Sequence, residues 1–135
     1  MEQDNVNRPA HYLQAAITIE PIELTARLDA CLGQAVNYIV RAPYKGNKVE
    51  DLQKAIFYLR KFDSLIKFRS PEVSDIGETC FVLGSLFASQ SKNENVRVIL
   101  SRLFSARYIS RTEINPTIKA IERWITYGDA LEATK

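Results

Sequence analysis

The sequence holds one histidine, His11, among 135 residues, which excludes a histidine-rich metal centre. Its two cysteines, Cys31 and Cys80, lie inside apolar helical patterns without zinc-ligand spacing. They read as small buried hydrophobes, and in a reducing cytoplasm they are not expected to pair. Five glycines and five prolines are few for an all-β chain with many tight turns. There is no Gly-rich phosphate loop and no G-x-G-x-x-G run, so the common nucleotide fingerprints are missing. No spacing supports a Ser/His/Asp or Cys/His catalytic set. No apolar run approaches the roughly 18–20 residues of a membrane helix. The opening Met1-Glu2-Gln3-Asp4 is polar and acidic, unlike a signal peptide. A cytoplasmic chain with no membrane partner is expected.

Hydrophobic residues make up 46% of the chain and charged residues 25%, enough for a buried core and a solvated surface. The length suits a single domain over 1–135. The net charge of +2 is unevenly spread. Eight Lys/Arg against three acids give the stretch 41–69 a local +5, which leaves −3 for the rest. A local basic region suits a nucleotide or a nucleic-acid backbone, and equally a solvated helix face.

The pattern predicts an all-α, mainly helical fold. A short extended segment over 11–19 precedes a helix, whole or broken in two, from Pro21 to about Arg41, with Leu24, Leu28, Cys31, Leu32, Ala35, Val36 and Ile39 at helical spacing. Pro43-Tyr44-Lys45-Gly46 is a turn. Asn47 and Glu50 read as a capping box for a helix from Lys48 to about Phe68, whose buried stripe runs Val49, Leu52, Ala55, Ile56 and Leu59. The short turn folds the two helices into an antiparallel hairpin. Further helices are expected from about Asp75 to Gln90, capped by Ser74, from Asn93 to Arg107, and from Pro116 to about Leu131. In the first of these, Gly77, Gly84, Ser85 and Ala88 offer small positions for close helix contact.

The polar groups with chemical potential gather on the hairpin. Gln34, Tyr38 and Arg41 recur at i, i+4 and i+7, and Asp51, Lys54 and Tyr58 at i, i+3 and i+7. In an antiparallel hairpin the two stripes meet at one edge. Lys45, Gly46 and the next helix start would add cation and backbone N–H groups for phosphate. A tyrosine among Tyr38, Tyr44 and Tyr58 would stack on a base. Arg41, Asp51 and Lys54 also read as a structural ion-pair network. Glu20, Glu23 and Asp51 match a hard-cation donor set, and Glu20 and Glu23 read equally as first-turn acids complementing the helix dipole.

At these residues the sequence resembles a phage and prophage family of nucleotide-kinase-like domains. The resemblance lies in Arg8-Pro9-Ala10-His11-Tyr12, in Ile19-Glu20-Pro21-Ile22-Glu23, in Leu32 to Ala42, and in Lys45-Gly46 followed by Glu50 to Leu59, in order over about residues 8–62. The family includes the domain carried by a T7-type phage nucleotide kinase. The resemblance implies a nucleotide ligand, ATP as cosubstrate with or without a divalent cation, and a phage origin, hence a host cytoplasm. His11 and Asp51 are among its motif positions, and in a kinase-like reading they are the catalytic residues that assist the acceptor hydroxyl. The resemblance assigns Tyr12, Tyr38, Arg41, Lys45, Gly46, Lys54 and Tyr58 to ligand and phosphate binding. Gln34, Asn37 and Pro43 stand where the family has Asn, Lys and Gly. The missing Lys at 37 and the stiffer turn weaken phosphoryl transfer more than binding. The helices from residue 71 on lie outside this resemblance.

Three functions follow as expectations. The first is a nucleotide-binding, kinase-like phosphotransferase. The second is a non-catalytic binder that sequesters a nucleotide or a nucleotide-derived immune signal, an anti-defence sponge. The third is a helical module that binds a host protein or nucleic acid. A homo-oligomer is expected with each, because small helical hairpins often complete their cores by self-association.

Overall fold

The computed structural model describes residues 19–68 and 73–129. These form six helices and one two-stranded ladder, in the order α1 (Pro21–Thr25), α2 (Ala30–Arg41), α3 (Lys48–Ile66), β1 (Ser74–Asp75), α4 (Glu78–Gln90), α5 (Glu94–Leu103), β2 (Tyr108–Ile109) and α6 (Arg111–Tyr127). The mainly helical expectation is met. Among the described residues no helix is long and apolar enough to cross a membrane.

The Pro21–Arg41 stretch is two helices. Pro21 starts α1, and Glu20 and Glu23 close it with a reciprocal capping box, the Glu23 carboxylate accepting the Glu20 N–H at 2.9 Å. Asp29 caps α2 by accepting the Cys31 N–H at 2.9 Å. Gly33 lets α2 approach α1 closely, since a Cβ there would stand 3.2 Å from the Thr25 carbonyl oxygen. Leu32, Ala35, Val36 and Ile39 of α2 face Leu52, Ala55, Ile56, Leu59 and Phe62 of α3, all buried, so α2 and α3 form the antiparallel hairpin. Val49, expected in that stripe, is exposed.

The Asn47–Glu50 capping box does not form. Asn47 makes no side-chain cap bond, and Glu50 turns instead to Lys54, one helical turn on, at 3.2 Å. The later helix boundaries also differ from expectation. Ser74-Asp75 is a strand, paired antiparallel with Tyr108-Ile109. The Asp75 carboxylate accepts two bonds from Arg107, at 2.8 and 3.0 Å, and one from the Gly77 N–H. α4 therefore starts only at Glu78, after Gly77 at φ 82°. α5 ends at Leu103, not near Arg107, because the chain turns there to reach β2. α6 starts at Arg111, with Ser110 and Glu113 as its capping box. Pro116 lies inside α6 and leaves the Thr112 carbonyl without its usual i+4 donor.

One apolar cluster runs from Ile19 to Trp124 through both halves of the chain. α3 lies antiparallel to α6. Lys48 meets Asp129 at one end, and Asp63 meets Arg111 at the other. Gln90 ties Ile19 to α4 with two bonds, accepting the Ile19 N–H at 2.9 Å and donating to its carbonyl at 2.7 Å. Both cysteines are free, and burial pushes both thiols up from their ordinary pKa.

Gly84 takes up the close helix contact expected of it, inside the chain. A Cβ there would stand 2.5 Å from two ring carbons of Phe104, itself buried. Alanine favours a helix interior by about 1 kcal/mol over glycine. Forcing a methyl against an immobile ring costs up to about 3 kcal/mol. Overpacking wins, and Gly84→Ala is expected to lose about 2 kcal/mol, a fall of roughly 6–10 °C in melting temperature. An unchanged or raised melting temperature in differential scanning calorimetry would show that the ring yields.

Candidate functional site

The two polar stripes of the hairpin meet. Arg41 Nε lies 3.3 Å from Asp51 Oδ2. Tyr38 and Tyr58 stack nearly parallel, with ring centroids 6.0 Å apart and 9° between planes. Lys54 Nζ and the Arg41 guanidinium both lie against the Tyr38 ring, at 5.4 and 5.5 Å from its centroid. Phe57 packs edge-on to Tyr58. An antiparallel pair with a short turn sets Arg41 opposite Asp51 and Tyr38 opposite Lys54 and Tyr58, which is why helical spacing on each strand of the hairpin suffices to place them.

Asp51 is 1% exposed, and Arg41 covers it from the solvent side. The contact is an ion pair without hydrogen-bond alignment, since Asp51 Oδ2 has no hydrogen-bond partner among the described residues. The Arg41 side chain is about half exposed, and it donates no hydrogen bond among the described residues. The bond to Glu50 is the main cause that holds the Lys54 ammonium above its ordinary pKa, so Lys54 stays charged through the neutral range. Beside Tyr38 opens a cleft of about 390 Å³, lined by Pro21, Gln34, Asn37, Tyr38, Val40 and Arg41.

Lys45 and Gly46 do not join this cluster. Both are exposed in the turn, with Gly46 at φ 79°, and no hydrogen bond or ion pair links them to it. Glu50 and Asp51 already place two carboxylates in the first turn of α3, which leaves its start a poor phosphate cradle. His11 and Tyr12 lie outside the described residues. Glu20 and Glu23 cap α1, and no group of three metal-ligating side chains, such as Glu20, Glu23 and Asp51, comes together among the described residues.

Residues 6–60 match the model of a family described as a protein of unknown function (DUF3310). No curated protein and no solved structure matches the chain. The resemblance to nucleotide-kinase-like phage domains is thereby corrected, because the stretch that carried it matches a family of unknown function and nothing ties it to a nucleotide kinase. The fold accounts for much of that motif. Glu20 and Glu23 are cap residues, Gly33 is a close-packing position, and Leu52, Ala55, Ile56 and Leu59 are core. Such positions build a helical hairpin whatever it binds.

Sequence reasoning passed over a second concavity, between α5 and α6. It holds about 760 Å³ and carries Asn95, Arg102, Lys119 and Arg123. Each helix alone shows these residues as an ordinary polar face, so only the packing reveals it.

Proposed function

We propose that the protein binds a nucleotide, or a small molecule derived from one, at the edge of the α2–α3 hairpin, and holds it without converting it. The observation that carries this reading is the cleft lined by Tyr38 and Arg41, where Tyr58 stacks on Tyr38 and Lys54 lies against the Tyr38 ring without lining the cleft themselves. Tyrosine faces suit a base, and the outward guanidinium of Arg41 suits a phosphate. The amides of Gln34 and Asn37 each carry a donor and an acceptor for a base edge. Binding without turnover is favoured because Asp51, the cluster's buried carboxylate, faces a cation instead of the cleft mouth. A general base must reach the proton that it removes.

The test is a thermal-shift screen against nucleoside mono-, di- and triphosphates and cyclic nucleotides, followed by chromatography of each stabilising ligand. At a hundredfold excess over Kd a true ligand raises the melting temperature by roughly 10 °C and is recovered intact. Arg41→Lys, which keeps a charge beside Asp51 but loses the planar fork, and Lys54→Gln should each weaken binding about tenfold. Recovery of a phosphorylated product would replace the binder with a phosphotransferase. A flat screen would remove the nucleotide altogether.

A further inference from the structure

We infer that the groove between α5 and α6 is a second binding site, for a small organic anion with an apolar body. Its volume of about 760 Å³ falls within the usual range of ligand pockets, and it lies wholly in residues 94–123, away from the Tyr38 cleft and beyond the family match at 6–60.

The groove is built from one face of each helix. Asn95, Val98 and Arg102 recur every three to four residues on α5, and Lys119 and Arg123 lie four apart on α6. Val98, 40% exposed, and Ala120 give it an apolar floor. Three cations line it against one acid, Glu94, so it carries a local +2. Arg123 lies over the Tyr127 ring, 6.0 Å from its centroid. The Arg102 and Lys119 side chains make no ion pair or hydrogen bond among the described residues.

The deciding group is Asn95. It is only 8% exposed, it lines the groove, and its Nδ2 has no hydrogen-bond partner among the described residues. Buried donors without partners are rare because leaving one unpaired is costly. That nitrogen has almost no accessible surface as it stands, so the Asn95 side chain must turn toward the groove for an anionic oxygen to satisfy it. The same oxygen then meets Arg102 and Lys119, while the rest of the ligand covers Val98. The cations converge on one concavity instead of running along a surface, which suits a compact anion better than a nucleic-acid backbone.

The probe is 8-anilinonaphthalene-1-sulfonate, which joins a sulfonate to two aromatic groups. N-phenyl-1-naphthylamine, with the same rings and no charge, is the control. Fluorescence titration should show one saturable sulfonate-probe site per chain. The double variant Arg102→Gln/Lys119→Gln should weaken it at least tenfold while changing the neutral probe less than twofold. Asn95→Leu should weaken the sulfonate probe severalfold. Val98→Trp, which fills the groove without altering charge, should exclude both probes. Arg41→Lys should leave both unchanged, which separates this site from the hairpin cleft. The two glutamine substitutions sit on exposed positions, and circular dichroism verifies the fold of every variant. No saturable site, equal loss of both probes in the charge variant, or undiminished sulfonate-probe binding in it would overturn the inference. So would salt-steep binding of duplex DNA that the charge variant removes, if the probe showed no saturable site.

Discussion

Trp124→Ala is expected to cost about 3–5 kcal/mol, a large share of the roughly 5–15 kcal/mol that holds a domain of this size together. Trp124 is 1% exposed in α6 and is among the largest fully buried side chains. Its indole Nε1–H donates to Asp129 Oδ1 at 2.8 Å, and Lys48, which lies against its ring, pairs with the other carboxylate oxygen at 3.2 Å. The residue thus fills the α3–α6 contact and anchors the end of α6 to the start of α3. Urea denaturation should show a lower midpoint with an unchanged slope.

Trp124→Phe separates the two roles, because it keeps a ring and removes the donor. The Trp124 indole N–H, ahead of Lys48, holds the Asp129 carboxyl below its ordinary pKa. A carboxyl depressed in the folded state adds stability that is full above its unfolded pKa and fades as pH falls through the folded value. The stability gap between the wild-type protein and Trp124→Phe should therefore narrow as pH drops below about 4. A gap independent of pH between 7 and 3 would mean that the indole contributes by packing alone.

How far the sequence carries depends on how far apart the interacting residues lie. Periodicity located α2 and α3 because apolar residues recur within single turns, and a six-residue connection left only an antiparallel pairing. The meeting of Arg41 with Asp51 and of Tyr38 with Lys54 and Tyr58 follows from that geometry. The β1–β2 ladder does not, because Asp75 and Arg107 are separated by 32 residues and no local pattern links them. That pairing is also what takes Asp75 out of the expected helix and Ser74 out of its expected cap.

Local signals failed where two competed. Asn47–Glu50 and Ser110–Glu113 both have a capping-box spacing, and only the second forms. Glu50 has a lysine one turn ahead and turns to it, whereas the Glu113 carboxylate accepts the Ser110 N–H at 2.7 Å and its hydroxyl at 3.2 Å. Asn115-Pro116 reads as a helix start, yet the Ser110 cap lies upstream and the helix tolerates the proline. The α5–α6 groove left no trace in sequence, because polar residues on an exposed face look alike whether the face is flat or splayed from its neighbour.

Arg41→Leu is expected to destabilise the protein by about 3 kcal/mol, while Asp51→Leu costs about 1 kcal/mol or less. The asymmetry follows from burial. Removing Arg41 leaves the Asp51 carboxylate shut away from water at 1% exposure, with its nearby positive charge gone. Removing Asp51 leaves Arg41, about half exposed, free to be solvated. The double variant Arg41→Leu/Asp51→Leu should therefore recover most of the loss, since two leucines across the hairpin edge replace a desolvated pair with packing. Its stability should come within about 1 kcal/mol of wild type, giving a coupling of about 3 kcal/mol in the double-mutant cycle. Additive losses would mean that other groups or water neutralise Asp51. In that case Arg41 is not committed to the carboxylate and its whole guanidinium is available to a ligand in the cleft. A strong coupling makes Asp51 the residue that orients Arg41. Asp51→Leu would then weaken ligand binding at the Tyr38 cleft without unfolding the hairpin.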